Sequence, residues 1–459
     1  MLTVFNAYDR TPLAEIACDD LHSINVKLDA ATKIFADRKN WLARHQRMDI
    51  LRRLAMLVEQ RKEHFSLQIT KEGGKPLADA IIEVNRAVDG IRNAVEELRT
   101  FTGQAVPMGS TPASTGRWAF TVREPIGVVA ALSAFNHPLN LIVHQVIPAI
   151  AVGCPVLIKP APATPLSCRD FVALVHEAGL PEPWCQIVIT DQNAVAEFLA
   201  TDERIDFLSF IGSARVGWYL RNRLPPGARC ALEHGGAAPA ILDQSADLDA
   251  AVPALARGGY YHAGQVCVST QRIWVHASLQ EEFTARFMER VAAMRVGDPT
   301  QPDTEIGPLI HPREVERVSA WIHSAIHDGA QPILSGQKLS NTTLSPTILL
   351  APPQTSLVSN QEIFGPVTCI YSYSDMDDAI GAANSLPFAF QACIFSQHIG
   401  RAMAAADRLD ASAVMINDHT AFRTDWMPFA GRRHSGYGTG GIPATMRDMT
   451  QEKLIVLRS

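Results

Sequence analysis

Charge is scarce in this 459-residue chain: Asp, Glu, Lys and Arg make up 19% of it, against 47% hydrophobic residues. That is a globular balance and excludes wholesale disorder. No basic block stands out and the formal net charge is −6, which argues against a nucleic-acid footprint. The eight cysteines (18, 154, 168, 185, 230, 267, 369 and 393) include no C-x-x-C pair. Their scatter argues against a disulfide framework or a zinc knuckle, and no metal ligands are nominated. It favours a reducing compartment, read as the cytoplasm. A signal peptide is lacking too: Met1–Asp20 holds one basic residue, Arg10, and no apolar h-region.

The longest absence is internal. Residues 125–158 contain no Asp, Glu, Lys or Arg. A membrane span needs ~20 consecutive apolar residues, and this stretch is broken by Asn136, His137, Pro138, Asn140, His144, Gln145 and Pro148. It reads as a strand, a polar loop and a buried helix deep in a soluble core, so no membrane is expected.

Residues 26–101 show helical spacing, as in Met48-Ile50-Leu51-Leu54-Leu57-Val58. Residues 118–124 alternate like a strand. From Gly127 short apolar runs (128–132, 155–158, 186–189, 205–211, 229–232) are mostly separated by helix-length segments. That rhythm predicts an α/β fold with a parallel, doubly wound sheet. A second α/β series follows, with helices over 246–262, 279–295, 313–329 and 376–385. Its strands fall at 273–275, 347–350, 367–371 and 392–395. Residues 430–441 are glycine-rich, and 453–457 read as a strand.

Five segments could carry chemistry. Cys267 lies among small and polar neighbours in Gly264-Gln265-Val266-Cys267-Val268-Ser269-Thr270, although a free cysteine is most often a buried structural one. Glu233 ends an apolar strand before Gly235-Gly236; it is a salt-bridge partner or a desolvated general base. Asn136 follows the first strand of the sheet, where it serves a turn or stabilises an oxyanion. Lys159 ends the next strand, either solvated or donating to sugar hydroxyls or phosphate. Gly212-Ser213 follows a strand and opens a helix, a fitting but weak context for a pyrophosphate.

Together these motifs resemble the aldehyde dehydrogenase superfamily. The order Asn136, Lys159, Gly212-Ser213, Glu233-x-Gly235-Gly236, Gly264-Gln265-x-Cys267, Glu362-x-Phe364-Gly365-Pro366 and Pro428-Phe429-x-Gly431 matches it along nearly the whole chain. The resemblance implies a Rossmann-like NAD(P)-binding domain (1–105 and 124–235) and an α/β catalytic domain (236–440). A small bridging β-element (106–123 and 441–459) would support a homodimer or homotetramer. It also implies Cys267 as nucleophile, Glu233 as general base and Asn136 as oxyanion donor. Lys159 and Glu362 would hold the cofactor's riboses and Gly212 and Ser213 its pyrophosphate, with Phe210, Val216 and Phe364 lining the cleft. A glutamate at 233 points to thioester hydrolysis and a free acid.

Some positions narrow the branch. Phe135-Asn136-His137-Pro138-Leu139-Asn140 and the segment around Arg423 resemble phosphonoacetaldehyde, lactaldehyde and semialdehyde dehydrogenases. Arg86, His137 and Arg423 match positions that hold an anionic tail in the phosphonoacetaldehyde group, although ordinary structural pairing of the arginines is nearly as good a reading. The residue before the nucleophile is arginine in that group and Val266 here. One charge-assisted contact of ~1.5–3 kcal/mol is therefore absent, which counts against a dianionic phosphonate. The expected substrate is a short aldehyde with an anionic or polar tail. NAD⁺ is slightly favoured over NADP⁺: Pro162 neither repels a 2′-phosphate nor bonds a hydroxyl, and no Lys or Arg lies between 160 and 168. Relatives usually carry a further strand before Asn6, so a trimmed N-terminus is expected. The competing functions are a cysteine hydrolase or transferase, with His234 or His262 as partner of Cys267, and a catalytically inactive binding member of the fold.

Overall fold

The structure is a computed structural model that describes residues 1–458. The helical stretch becomes four helices, Leu21–Ala36, Arg44–Gln60, Lys62–Gly73 and Leu77–Thr100. In the last of these Ala80, Val84, Ala87, Ile91, Ala94 and Leu98 recur every three or four residues and form its buried stripe. The charge-free stretch becomes the strand Val129–Leu132, a loop and the helix Asn140–Val152. Every residue of both elements is buried. With no face turned to water, an unpaired charge there would be lost to desolvation.

Val129–Leu132 is central in a six-stranded sheet. Val156–Lys159 and Cys185–Ile187 lie on one side of it, Phe207–Ile211 and Arg229–Glu233 on the other. These five strands are parallel, and Gly436–Tyr437 adds an antiparallel edge. The strand order reverses around Val129–Leu132, and the crevice beyond the carboxyl ends there is where such sheets bind ligands. A seven-stranded sheet follows, in the order Gln331–Leu334, Thr347–Leu350, Val367–Tyr373, Thr270–His276, Ala238–Leu242, Gln391–Phe395, Ala413–Ile416. All its pairs are parallel except the first. A separate antiparallel sheet pairs Thr450–Arg458 along Arg117–Pro125, with Ala105–Val106 at its other edge.

Three differences from the sequence expectation have physical reasons. The strand Ala238–Leu242 was not expected, because it sits behind Gly235-Gly236 and contains Pro239. The register shifts between Ala238 and Pro239, which is how the ladder tolerates the proline. The chain also leaves the second unit before residue 440. Gly436–Tyr437 joins the first sheet, and Ile442, Met446 and Met449 enter the first core. A two-residue strand and a seven-residue helix are too short to show a period. Finally, a strand does precede Asn6: Leu2–Phe5 pairs antiparallel with Pro12–Ile16. Among the described residues no helix is long and apolar enough to cross a membrane.

Two buried glutamates anchor helices of the first unit. Glu72 accepts from the backbone N–H groups of Leu166 (2.8 Å) and Ser167 (2.9 Å) at the start of the helix Leu166–Glu177. Glu83 accepts from Leu139 and Asn140 (both 3.0 Å) at the start of Asn140–Val152, and its other oxygen pairs with the fully buried Lys75. Anions belong at helix N-termini, where unpaired N–H groups converge. Glu83→Ala strands the Lys75 ammonium and two N–H groups. It should lower unfolding free energy by about 3–5 kcal/mol, measured by urea denaturation; wild-type stability would contradict the assignment.

Candidate active site

One cavity of about 560 Å³ gathers every site residue nominated above: Asn136, Glu233 and Cys267; Lys159, Phe210, Gly212, Ser213, Val216, Glu362 and Phe364; Arg86, His137 and Arg423. The first sheet contributes Lys159 and Glu233 from strand ends and Asn136 from the loop after Val129–Leu132. The second unit contributes the Cys267 and Glu362 loops.

The arm along the first sheet suits a dinucleotide. The Ser213 side chain does not cap the helix Ala214–Arg221; its carbonyl takes the Val216 and Gly217 N–H groups, and those of Ala214 and Arg215 are left for an anion. Among the described residues Lys159 Nζ donates only to the Pro160 carbonyl (3.0 Å), and burial lowers its pKa to about 8. Glu362 is bonded by the Gly236 N–H, burial raises its pKa to about 7, and its Oε1 has no partner. An orphaned acceptor in a cleft is what a ribose hydroxyl would satisfy. Gly235 is required beside it, since a Cβ there would lie 1.6 Å from Glu362 Oε1. These residues fit a nicotinamide cofactor.

The Cys267 loop is held tightly. His262, Ala263 and Gly264 run through left-handed backbone (φ 49°, 54° and 72°), a conformation that costs energy at the two non-glycine positions. A Cβ on Gly264 would stand 2.1 Å from the Gly365 carbonyl oxygen, so this glycine lets the Cys267 and Glu362 loops touch. Gln265 accepts from Ile310 N–H (2.9 Å) and donates to the Pro308 carbonyl (3.2 Å). Its own carbonyl accepts from Asn136 Nδ2 at 2.9 Å. That bond orients the Asn136 amide and leaves its second N–H free. Burial pushes the Cys267 thiol well above its ordinary pKa; the charge of Glu233 adds to the rise and Arg423 opposes it. Glu233 is itself raised to about 7 by burial, again with Arg423 opposing. No hydrogen bond joins Cys267 to a histidine. His234 Nδ1 faces the Gly212 carbonyl at 2.9 Å, and both nitrogens of the buried His262 lack partners. The cysteine–histidine pair that a hydrolase needs is therefore not formed.

The far wall carries the three nominated substrate residues in different states. Arg86 makes a two-point ion pair with Asp425 (2.8 and 3.2 Å), so its charge is already matched. Burial and the nearby Lys75 and Arg86 cations hold His137 well below its ordinary pKa, and it is neutral. Among the described residues Arg423 has no carboxylate within salt-bridge distance. It stacks on Phe429 (3.6 Å from Cζ to the ring centroid), and its Nη2 meets His144 Nδ1 at 3.3 Å.

Comparison with known proteins agrees with this geometry. The family model described as "Aldehyde dehydrogenase family" matches residues 1–455. The chain belongs to the aldehyde dehydrogenase family. It is 35% identical to the 3-sulfolactaldehyde dehydrogenase of Priestia aryabhattai, across 99% of this chain and 94% of that protein. Aldehyde dehydrogenase 21 from Physcomitrella patens, solved with the reaction product succinate, superposes with a TM-score of 0.96 at 32% identity, covering 100% of this chain and 95% of that one. Glyceraldehyde-3-phosphate dehydrogenase from Methanocaldococcus jannaschii, solved with NADP, gives 0.95 at 30% identity, covering 100% and 99%. The protein is thus an oxidoreductase that oxidises an aldehyde to the acid with a nicotinamide cofactor.

Sequence reasoning missed the supports of this aldehyde dehydrogenase site. Asp425 is bound by Arg86, Asn140 and His144, residues that stand 339, 285 and 281 positions away. No local pattern announces such a hub. Tyr261, whose ring is flanked by Arg257 and Lys75, lines the cavity beside His137 and was likewise unmarked. The electrostatics of the thiol can be checked directly. Glu233→Gln removes an anion that disfavours the thiolate. Iodoacetamide labelling of the Cys267 peptide at pH 8 should accelerate in that variant of the free enzyme; slower labelling would reverse the sign.

Proposed function

We propose that this enzyme oxidises a short aldehyde bearing one negative charge at its far end, through a thioester on Cys267 that Glu233-activated water hydrolyses. The carrying observation is the grouping of Cys267, Glu233, Asn136 and a carboxylate-free Arg423 around one cavity. Cys267 attacks the carbonyl carbon as its thiolate, the thiol proton having passed to solvent. The free N–H of Asn136, with the backbone N–H of Cys267, stabilises the alkoxide that forms. A nicotinamide cofactor, held by Lys159, Glu362 and the first turn after Ser213 with Phe210, Gly212, Val216 and Phe364 lining its cleft, supplies the hydride acceptor when bound. Cys267 is left acylated, and Glu233 takes a proton from the water that releases the acid.

The working form of Glu233 is the carboxylate, and its pKa is about 7. Deacylation-limited kcat should therefore rise with pH through about 7 and level off above it. Glu233→Gln should keep a first-turnover burst of reduced cofactor and lose roughly 10²–10⁴ in steady-state rate; a wild-type steady state would sink the base assignment.

The single-charge reading follows from counting. Arg86 is matched by Asp425 and His137 is neutral, which leaves Arg423, with only the more distant field of Glu233 and Asp425 upon it, as the one of the three able to pair with a substrate anion. The relative named for 3-sulfolactaldehyde and the structure solved with succinate support it. Succinic semialdehyde, phosphonoacetaldehyde, lactaldehyde and hexanal are the test panel. The monoanion should give the highest kcat/KM, and Arg423→Ala should lower it by about tenfold or more. A preference for hexanal that Arg423→Ala leaves in place would overturn the reading.

We also propose NAD⁺ as the preferred cofactor, since Asp191 lines the same arm and its charge acts on Lys159, where it opposes a 2′-phosphate. A homodimer, or a tetramer of two dimers, is our proposed assembly, supported by the exposed Trp118, Phe120, Leu454, Val456 and Leu457 on the bridging sheet. Eight free thiols support a cytoplasmic enzyme.

A further inference from the structure

A guanidinium carries only hydrogen-bond donors. The nitrogen that faces Arg423 Nη2 at 3.3 Å, His144 Nδ1, must therefore present a lone pair. The His144 proton then sits on Nε2, 2.7 Å from Asp425 Oδ1, which accepts it. Burial and the Arg423 charge lower the His144 pKa to about 4, so the ring is neutral and the Nδ1 lone pair stays available near neutrality. Asp425 is itself held in place by Arg86 and by Asn140 Nδ2 (3.0 Å), and its backbone carbonyl accepts from Ile442 N–H (3.1 Å). Arg423 is thus gripped along one edge by His144 and on one face by Phe429, while its Nε has no partner.

We propose that Asp425 and His144 form a tautomer-fixing relay that aims Arg423 at the anionic end of the substrate. They are positioning residues: neither touches the reacting atoms, and they act through Arg423. The proposal rests on the reading of Arg423 as the anion receptor. Its logic is that of a carboxylate that fixes an imidazole tautomer for the group beyond it, here with a cation as that group. A long arginine with no carboxylate partner otherwise has several rotamers, and the relay removes that freedom before substrate arrives.

The test measures kcat and KM for succinic semialdehyde and for uncharged propanal in wild type, Arg423→Ala, His144→Leu and His144→Gln. His144→Leu removes the acceptor. It should raise KM for succinic semialdehyde about tenfold while kcat, and KM for propanal, move less than about threefold. His144→Gln offers an amide N–H to Asp425 and a carbonyl oxygen to Arg423, and should restore KM to within about threefold of wild type. A merely structural role would move both aldehydes together. The relay is overturned if His144→Leu keeps the wild-type discrimination, or if His144→Gln fails to restore it, while Arg423→Ala abolishes it. Discrimination that survives Arg423→Ala overturns the anion reading itself.

Discussion

The hydrogen bond from Asn136 Nδ2 to the Gln265 carbonyl joins the loop after the central strand of one sheet to the Cys267 loop of the other. The proposed chemistry draws on both sides at once: Cys267 comes from the second unit, Glu233 and Asn136 from the first. Gln265 is the common anchor, since its side chain is tied to Pro308 and Ile310 while its carbonyl aims the Asn136 amide. The left-handed run His262–Gly264 is the cost of this arrangement, about 1–3 kcal/mol for each strained non-glycine residue. The surrounding packing, with Gly264 against Gly365, over-determines that shape.

Electrostatics follow from the same burial. A chain with few charges places several of them inside: some are ion-paired, Lys75 with Glu83, Asp425 with Arg86 and Asp79 with the exposed Arg257, and Arg272 rests on backbone carbonyls. What is left unmatched is informative because burying an uncompensated charge is costly. Arg423 and the Glu362 oxygen are such residues, and both face the cavity. Burial also brings Glu233 and Glu362 to about pKa 7, where one carboxylate can exchange protons and the other can accept from a hydroxyl.

Legibility in the sequence differed by element. Periodicity marked the long helices and most parallel strands, because each has a continuous buried stripe or run. It gave no sign of Ala238–Leu242, whose flanking glycines and internal proline mimic a turn, nor of Gly436–Tyr437, which is too short to alternate. The candidate site residues were nominated as an ordered set of short motifs, and one cavity is lined by all of them. Their state was not. Arg86 and Arg423 look alike in sequence, yet one is paired with Asp425 and the other is not.

The sequence by itself determined the residue types available for thiol, base, oxyanion and cofactor contacts, and the charge-free core that carries the first sheet. These are local properties: side-chain chemistry and apolar spacing are written residue by residue. Only the tertiary structure decided which charges are spent and which remain free, which histidine is neutral and which nitrogen of it faces an arginine. Those depend on partners hundreds of residues apart and on depth from water, and neither distance nor depth is a property of the chain before it folds.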